Sequence, residues 1–245
     1  MSVKLLLKHS WNSYSSNLKF ILAFSIPLLF ALPLASLLPN YVASSGVFLR
    51  FSSLQTDLTA GSALFIILAF LFSLLLYSFA VTAINMVVKH QRTLTRIRHT
   101  EFEAIELLTL KLFTVFLAAF LASFVGALWL RDAYPSKSQF LVPAWSLLVS
   151  LTVLFVPQAL VLENHRLWSA LELAFKVLTR KFYYFVFFLL FASALILANT
   201  ALFLGLSEFE PVAMQAGVAV NALFILPFLE VLKTQIFLSK YSLLR

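Results

Sequence analysis

Two kinds of side chain in this sequence carry usable chemistry: histidines near carboxylates, and polar groups set inside long apolar runs. The histidines are His9, His90, His99 and His165. His99, Glu103 and Glu106 stand at i, i+4 and i+7, one face of a helix, from which a metal site could be assembled. The simpler reading is a solvated or headgroup-facing polar surface, so no metal ligand is assigned. Cysteine is absent, which excludes disulfides, thiol catalysis and thiolate metal sites. No HExxH, GxSxG or phosphate-loop pattern occurs. No catalytic residue and no cofactor is therefore assigned, and a non-enzymatic role is expected.

The polar groups at membrane depth point further, because each is costly there unless satisfied. Asn85, Asn199 and Asn221 fall within apolar runs, and Gln158, Glu163, Glu230 and Lys233 near the ends of such runs. Glu230 follows Pro227 by three residues, and a proline frees a backbone carbonyl one turn earlier. Glu230 suits a proton- or substrate-linked carboxylate. Pairing with Lys233 or Lys181, or snorkelling to the interface, is the simpler role.

These residues need apolar elements to hold them. Of 245 residues, 62% are hydrophobic and 11% charged, with a mean hydropathy of +0.97. Soluble domains are about half apolar and about a quarter charged. The expected fold is all-α: one six-helix transmembrane domain over residues 1–245, a polytopic membrane protein with cytoplasmic amphipathic interfacial helices. Strand-like alternation is absent, which argues against an outer-membrane barrel. The six spans are expected near 18–38, 61–88, 112–130, 140–162, 182–204 and from 212. A basic start before the first run is shaped like a secretory signal. That run exceeds the roughly 7–15 apolar residues of such a signal, so it is expected to remain as a span.

Three amphipathic stretches accompany the spans. In the first, Val3, Leu7, Trp11, Tyr14 and Leu18 form an apolar stripe opposite Lys4, Lys8 and Lys19. The polar run at 13–17 is expected to turn the chain into the bilayer. In the second, Thr100 and Glu103 form a capping box, and Phe102, Ile105, Leu108 and Leu112 give an apolar face running into span three. The third, PQALVLENHRLWSALELAFKVLTRKFYYF, places Leu167, Leu171, Ala174 and Leu178 at helical spacing beside Trp168 and Phe175, with Arg166, Ser169, Glu172, Lys176 and Arg180 mostly opposite. With the N-terminus inside, fifteen basic residues are cytoplasmic and only Arg50, Arg131 and Lys137 are outside. That bias sets both termini in the cytoplasm of a multi-pass cell-membrane protein. The formal charge of +8 then reflects loops facing anionic lipid, and no nucleic acid is expected.

Two spans per unit divide the chain into three parallel helix-hairpin units of one design, 1–89, 90–162 and 163–245. Pro157, Glu163, the Ala170–Leu171 pair and the aromatic run at 182–185 make a pattern that resembles a six-span membrane-domain family. That family includes the membrane region of some glycerophosphodiester phosphodiesterases and its stand-alone bacterial and archaeal relatives. The ending PFLEVLKTQIFLSKY is similar to the family's close. Asn164 replaces the glycine that usually follows the acidic residue. The resemblance implies the six-span topology and carries no catalytic residues, since the phosphodiesterase chemistry belongs to a separate soluble domain.

The expected function is an integral membrane scaffold or accessory subunit. Its basic collar (Arg92, Arg96, Arg98, Arg166, Lys176, Arg180 and Lys181) would bind a membrane-protein partner or anionic lipid of the bilayer. The rival is a transporter or lipid-handling permease with a polar path through Asn85, Asn199, Asn221 and Glu230. Small residues spaced by four provide close helix contacts in either case: Ala118, Ala122 and Gly126; Ala194 and Ala198; Ala213 and Gly217.

Overall fold

The computed structural model describes residues 2–36, 41–44, 47–50, 60–93, 99–163, 166–205 and 212–239. In chain order these form α1 (Val3–Ser16), α2 (Leu18–Ser36), β1 (Tyr41–Ser44), β2 (Val47–Arg50), α3 (Ala60–Thr93), α4 (His99–Ala133), α5 (Ser138–Val153), α6 (Val156–Glu163), α7 (Leu167–Arg180), α8 (Phe182–Leu204), α9 (Val212–Val220), a π-helical turn (Asn221–Ile225) and α10 (Leu226–Leu238).

Five segments are long and apolar enough to cross a membrane: Ile67–Gln91, Ala104–Ala133, Ser138–Glu163, Phe182–Phe203 and Gln215–Leu238. A sixth is reached if α1 and the following helix count as one bent span, but they meet at 85°. The bend sits at Asn17, whose side-chain amide donates to the Ser13 carbonyl at 2.9 Å while its own carbonyl accepts from the Ile21 amide. Asn17 thus ends one helix and starts the next, at the polar run expected to turn the chain.

The structure departs from the sequence reading at several points. The connection after α2 contains an antiparallel hairpin, pairing Tyr41 with Arg50 and Ser44 with Val47. Its strands, YVAS and VFLR, are rich in β-branched and aromatic residues. The second amphipathic stretch runs on into span three, as expected, and so is not a separate interfacial helix of the collar. It is the first part of the 35-residue α4, which contains no proline to break it, and Ile105, Leu108 and Leu112 pack inward as expected. Span four is broken at Leu154 and Phe155. The cause is Pro157, whose ring excludes the normal bond to the carbonyl four residues earlier, at Val153, where α5 ends. Pro227 acts likewise on span six. The carbonyl it frees belongs to Leu223, inside the π-helical turn, and the Tyr14 hydroxyl of α1 lies 3.5 Å from it.

α3 is the central element. Of its span window 61% is buried, against 11% for α8 at the periphery. Leu74, Leu112, Phe116, Leu154, Leu160 and Phe237 form the fully buried middle of the main core. Val125, Trp129, Leu190 and Leu197 are all more than 60% exposed. In water such a surface would be an association site; in hydrocarbon it needs no cover.

Small residues bring helices together at two of the three expected places. A Cβ on Gly126 would lie 2.0 Å from the Trp145 indole nitrogen, and that nitrogen donates to the Ala122 carbonyl at 3.1 Å. Gly217 receives the Phe203 ring, with Ala213 buried beside it. Ala194 and Ala198 are exposed among the described residues. The expected faces of the two interfacial helices also shift. α1 buries Leu6, Ser10, Ser13 and Tyr14 and leaves Trp11 exposed, as is Leu18 at the start of α2. α7 buries Ala170, Ala174 and Val177 and leaves Trp168 and Phe175 exposed.

Replacing Gly126 by leucine is expected to cost about 1–3 kcal/mol through overpacking, measured by unfolding in detergent. In a Trp145→Ala background the added cost of Gly126→Leu should largely disappear; an equal cost in both backgrounds would show that the indole is not what fills the space.

Candidate functional site

The buried polar groups gather where α3, α6 and α10 meet. Glu230 and Lys233 of α10 form an ion pair with 5% and 3% of each residue exposed. The second carboxylate oxygen of Glu230 accepts from the Gln158 side-chain amide of α6 at 3.2 Å. One turn along, the Thr234 hydroxyl donates to Asn85 Oδ1 of α3 at 2.5 Å, with the Glu230 carbonyl 2.9 Å away as a second acceptor. Asn85 Nδ2 in turn donates to the Val81 carbonyl at 2.8 Å. The remaining group, Gln158 Oε1, is buried without a partner.

The network extends toward α1 and the end of α6. Lys89 of α3 donates to the Val161 carbonyl of α6 at 2.7 Å. Val161 lies in the last turn of that short helix, where carbonyls lack intrahelical donors and a cation is favoured. The Ser13 hydroxyl of α1 donates to Gln91 Oε1 at 2.6 Å. α1 thus presents a mixed face of Leu6, Ser10, Ser13 and Tyr14 to the protein and leaves Lys4, Lys8 and Asn12 exposed.

Of the four intramembrane residues singled out from sequence, Asn85 and Glu230 are brought together through Thr234. The other two are elsewhere. Asn199 Nδ2 donates to the Gly217 carbonyl at 3.0 Å, tying α8 to α9. Asn221 begins the π-helical turn, and its Oδ1 is buried without a partner. The four do not line one path. Lys233, one of the two basic residues considered for Glu230, is its partner. Thr234 was missed, although its position four residues after Glu230 places it on the same helix face.

The collar is partly described. Arg166, Lys176 and Arg180 are exposed. Lys181 is half-buried with its ammonium 5.7 Å from the Tyr184 ring centroid. Lys176 pairs with Glu172 at 2.5 Å. This hydrogen bond, then the ammonium charge, holds the Glu172 carboxyl below the usual value. The pair's contribution is present above the ordinary glutamate range and fades as pH falls through the lowered value; at this exposure it is small. For Arg92 only the backbone is described, and Arg96 and Arg98 lie outside the described residues. The same holds for the suggested metal face: the side chains of His99 and Glu103 are not described, and Glu106 is exposed. Among the described residues no cluster of three potential metal ligands occurs.

A second feature is an open apolar groove of about 540 Å³ between α4, α5 and the start of α7. Ala118 and Ala122 lie on one wall, Leu148 and Val149 on the other, and Trp145 and Trp168 also line it. Its two threonine hydroxyls are turned into their own helices, Thr114 to the Leu110 carbonyl and Thr152 to the Val149 carbonyl.

Comparison with protein-family models, with curated proteins and with solved structures gives no match.

Lys233→Met should leave a buried carboxylate unpaired and cost about 3–5 kcal/mol in unfolding measurements. Adding Glu230→Gln should recover most of that loss. If the double variant is as unstable as the single one, Glu230 and Lys233 are not energetically coupled.

Proposed function

We propose that the chain is a six-span cell-membrane protein with both termini cytoplasmic, acting as a non-enzymatic scaffold or accessory subunit. Its basic amphipathic helices recruit a membrane-protein partner or anionic lipid. The observation that carries this reading is the seating of α7. It contacts the bundle through Ala170, Ala174 and Val177, and turns out Trp168, 82% exposed, Phe175, 56% exposed, and the charges of Lys176 and Arg180. Aromatic rings beside cations suit a membrane–water interface. The fifteen-to-three distribution of basic residues supports the orientation. Kinship with the six-span membrane regions of glycerophosphodiester phosphodiesterases rests on the motif around Pro157 and Glu163.

The transporter reading is favoured by one observation: the broken helix α5/α6 and the π-helical turn both lie near Glu230 in sequence or in space. Transporters place sites at such interruptions. The wiring of the site favours a fixed internal joint instead, since both carboxylate oxygens of Glu230 are already engaged within the protein.

Affinity purification in mild detergent tests the scaffold reading. The wild-type chain is expected to retain a stoichiometric membrane-protein partner. Lys176→Glu with Arg180→Glu should reduce that retention more than tenfold, from about 1 kcal/mol per basic residue at an anionic surface. Equal retention by both proteins would remove α7 as the recruiting element.

A further inference from the structure

We propose that the groove between α4, α5 and the first turn of α7 holds an acyl chain of an anionic glycerophospholipid, whose phosphate is received by Arg166. The inference rests on the membrane setting and names the lipid and its seat. The lining is apolar, and both of its threonine hydroxyls and the Trp145 indole N–H are committed within the protein. Its volume, about 540 Å³, lies within the range of about 300–1,000 Å³ usual for small-ligand sites. From Thr114 to Ala122 the groove follows α4 for about 12 Å. The Trp145 indole borders it, held by the Ala122 carbonyl and by the space over Gly126.

The α7 end of the groove differs in charge. Leu167 and Trp168 line it there, and the residue before them is Arg166, the N-cap of α7. Arg166 is exposed, and its side chain makes no ion pair among the described residues. The N-terminus of a helix adds partial positive charge at the same point, and a guanidinium matches phosphate oxygens in a fork. An apolar slot whose α7 wall is preceded in sequence by an exposed cation, with no ion pair among the described residues, is complementary to an amphiphile with a negative head. A partner's apolar helix would fill the slot but leave Arg166 unanswered. A zwitterionic lipid would present its own cation beside Arg166.

The experiment uses the full chain in neutral detergent with equal amounts of phosphatidylglycerol and phosphatidylcholine of identical chains, read by native mass spectrometry. Wild type is expected to retain one phosphatidylglycerol in about fivefold preference. Arg166→Glu should abolish the preference and Arg166→Lys should keep it. Ala118→Phe and Leu148→Trp, each at an exposed wall position, should reduce retention of both lipids with melting temperature unchanged. Equal retention of the two lipids by wild type, or full retention by both plugged variants, overturns the proposal. Lys176→Glu with Arg180→Glu should leave this retention at the wild-type level, so failure of the groove and failure of the α7 outer face are separable.

Discussion

A charge pair withdrawn from water is tolerated only if every partner is in place. That constraint governs the joint of α3, α6 and α10. Glu230 and Lys233 answer each other within α10, but the carboxylate also needs Gln158 from α6, and the next turn needs Asn85 from α3. Sliding any of the three helices by one residue would leave at least one of these groups buried without a partner, at a cost of about 1–3 kcal/mol or more. Hydrophobic packing among interchangeable leucines and phenylalanines gives no such penalty for slippage. The polar joint therefore fixes register, while the apolar core supplies contact area.

Prolines act on the same joint from outside. Pro157 ends α5 and starts a short helix that carries Gln158 as its third residue; Pro227 opens the turn before Glu230. Each break re-aims the residues that follow it, so the two interrupted spans deliver their polar side chains to one point. Lys89 then closes the far end of α6 by satisfying the Val161 carbonyl. Disruption of the backbone and satisfaction of side chains are thus parts of one arrangement.

The apolar runs located the five long apolar helices in sequence, and the proline rule marked the break before Glu230 but not the one at Pro157. Asn85 and Glu230 stood out because polarity at depth is rare. Which way a helix faces was not legible, for a physical reason. In water an apolar stripe must turn inward; beside hydrocarbon it can turn outward equally well. α1 and α7 do so in part, exposing Trp11 and Trp168 while Tyr14 and Ala174 of the same stripes are buried. Thr234 escaped notice because a lone threonine in a helix usually bonds back to its own turn. The groove had no signature either, since it forms only when α4, α5 and α7 are brought together.

The contact between α1 and the final span has a consequence for how the chain is made. Tyr14 meets the carbonyl of Leu223, which lies 209 positions later in the sequence. At synthesis rates of about 5–20 residues per second, the first helix waits about 10–40 s before its seat exists. Through that interval an amphipathic segment with Lys4, Lys8 and Trp11 has only the membrane surface and, once α3 is made, Gln91 to rest on. Its two faces fit two successive hosts: the apolar side for the interface during synthesis, and the serine side for Gln91 and, once the last span has been inserted, α10.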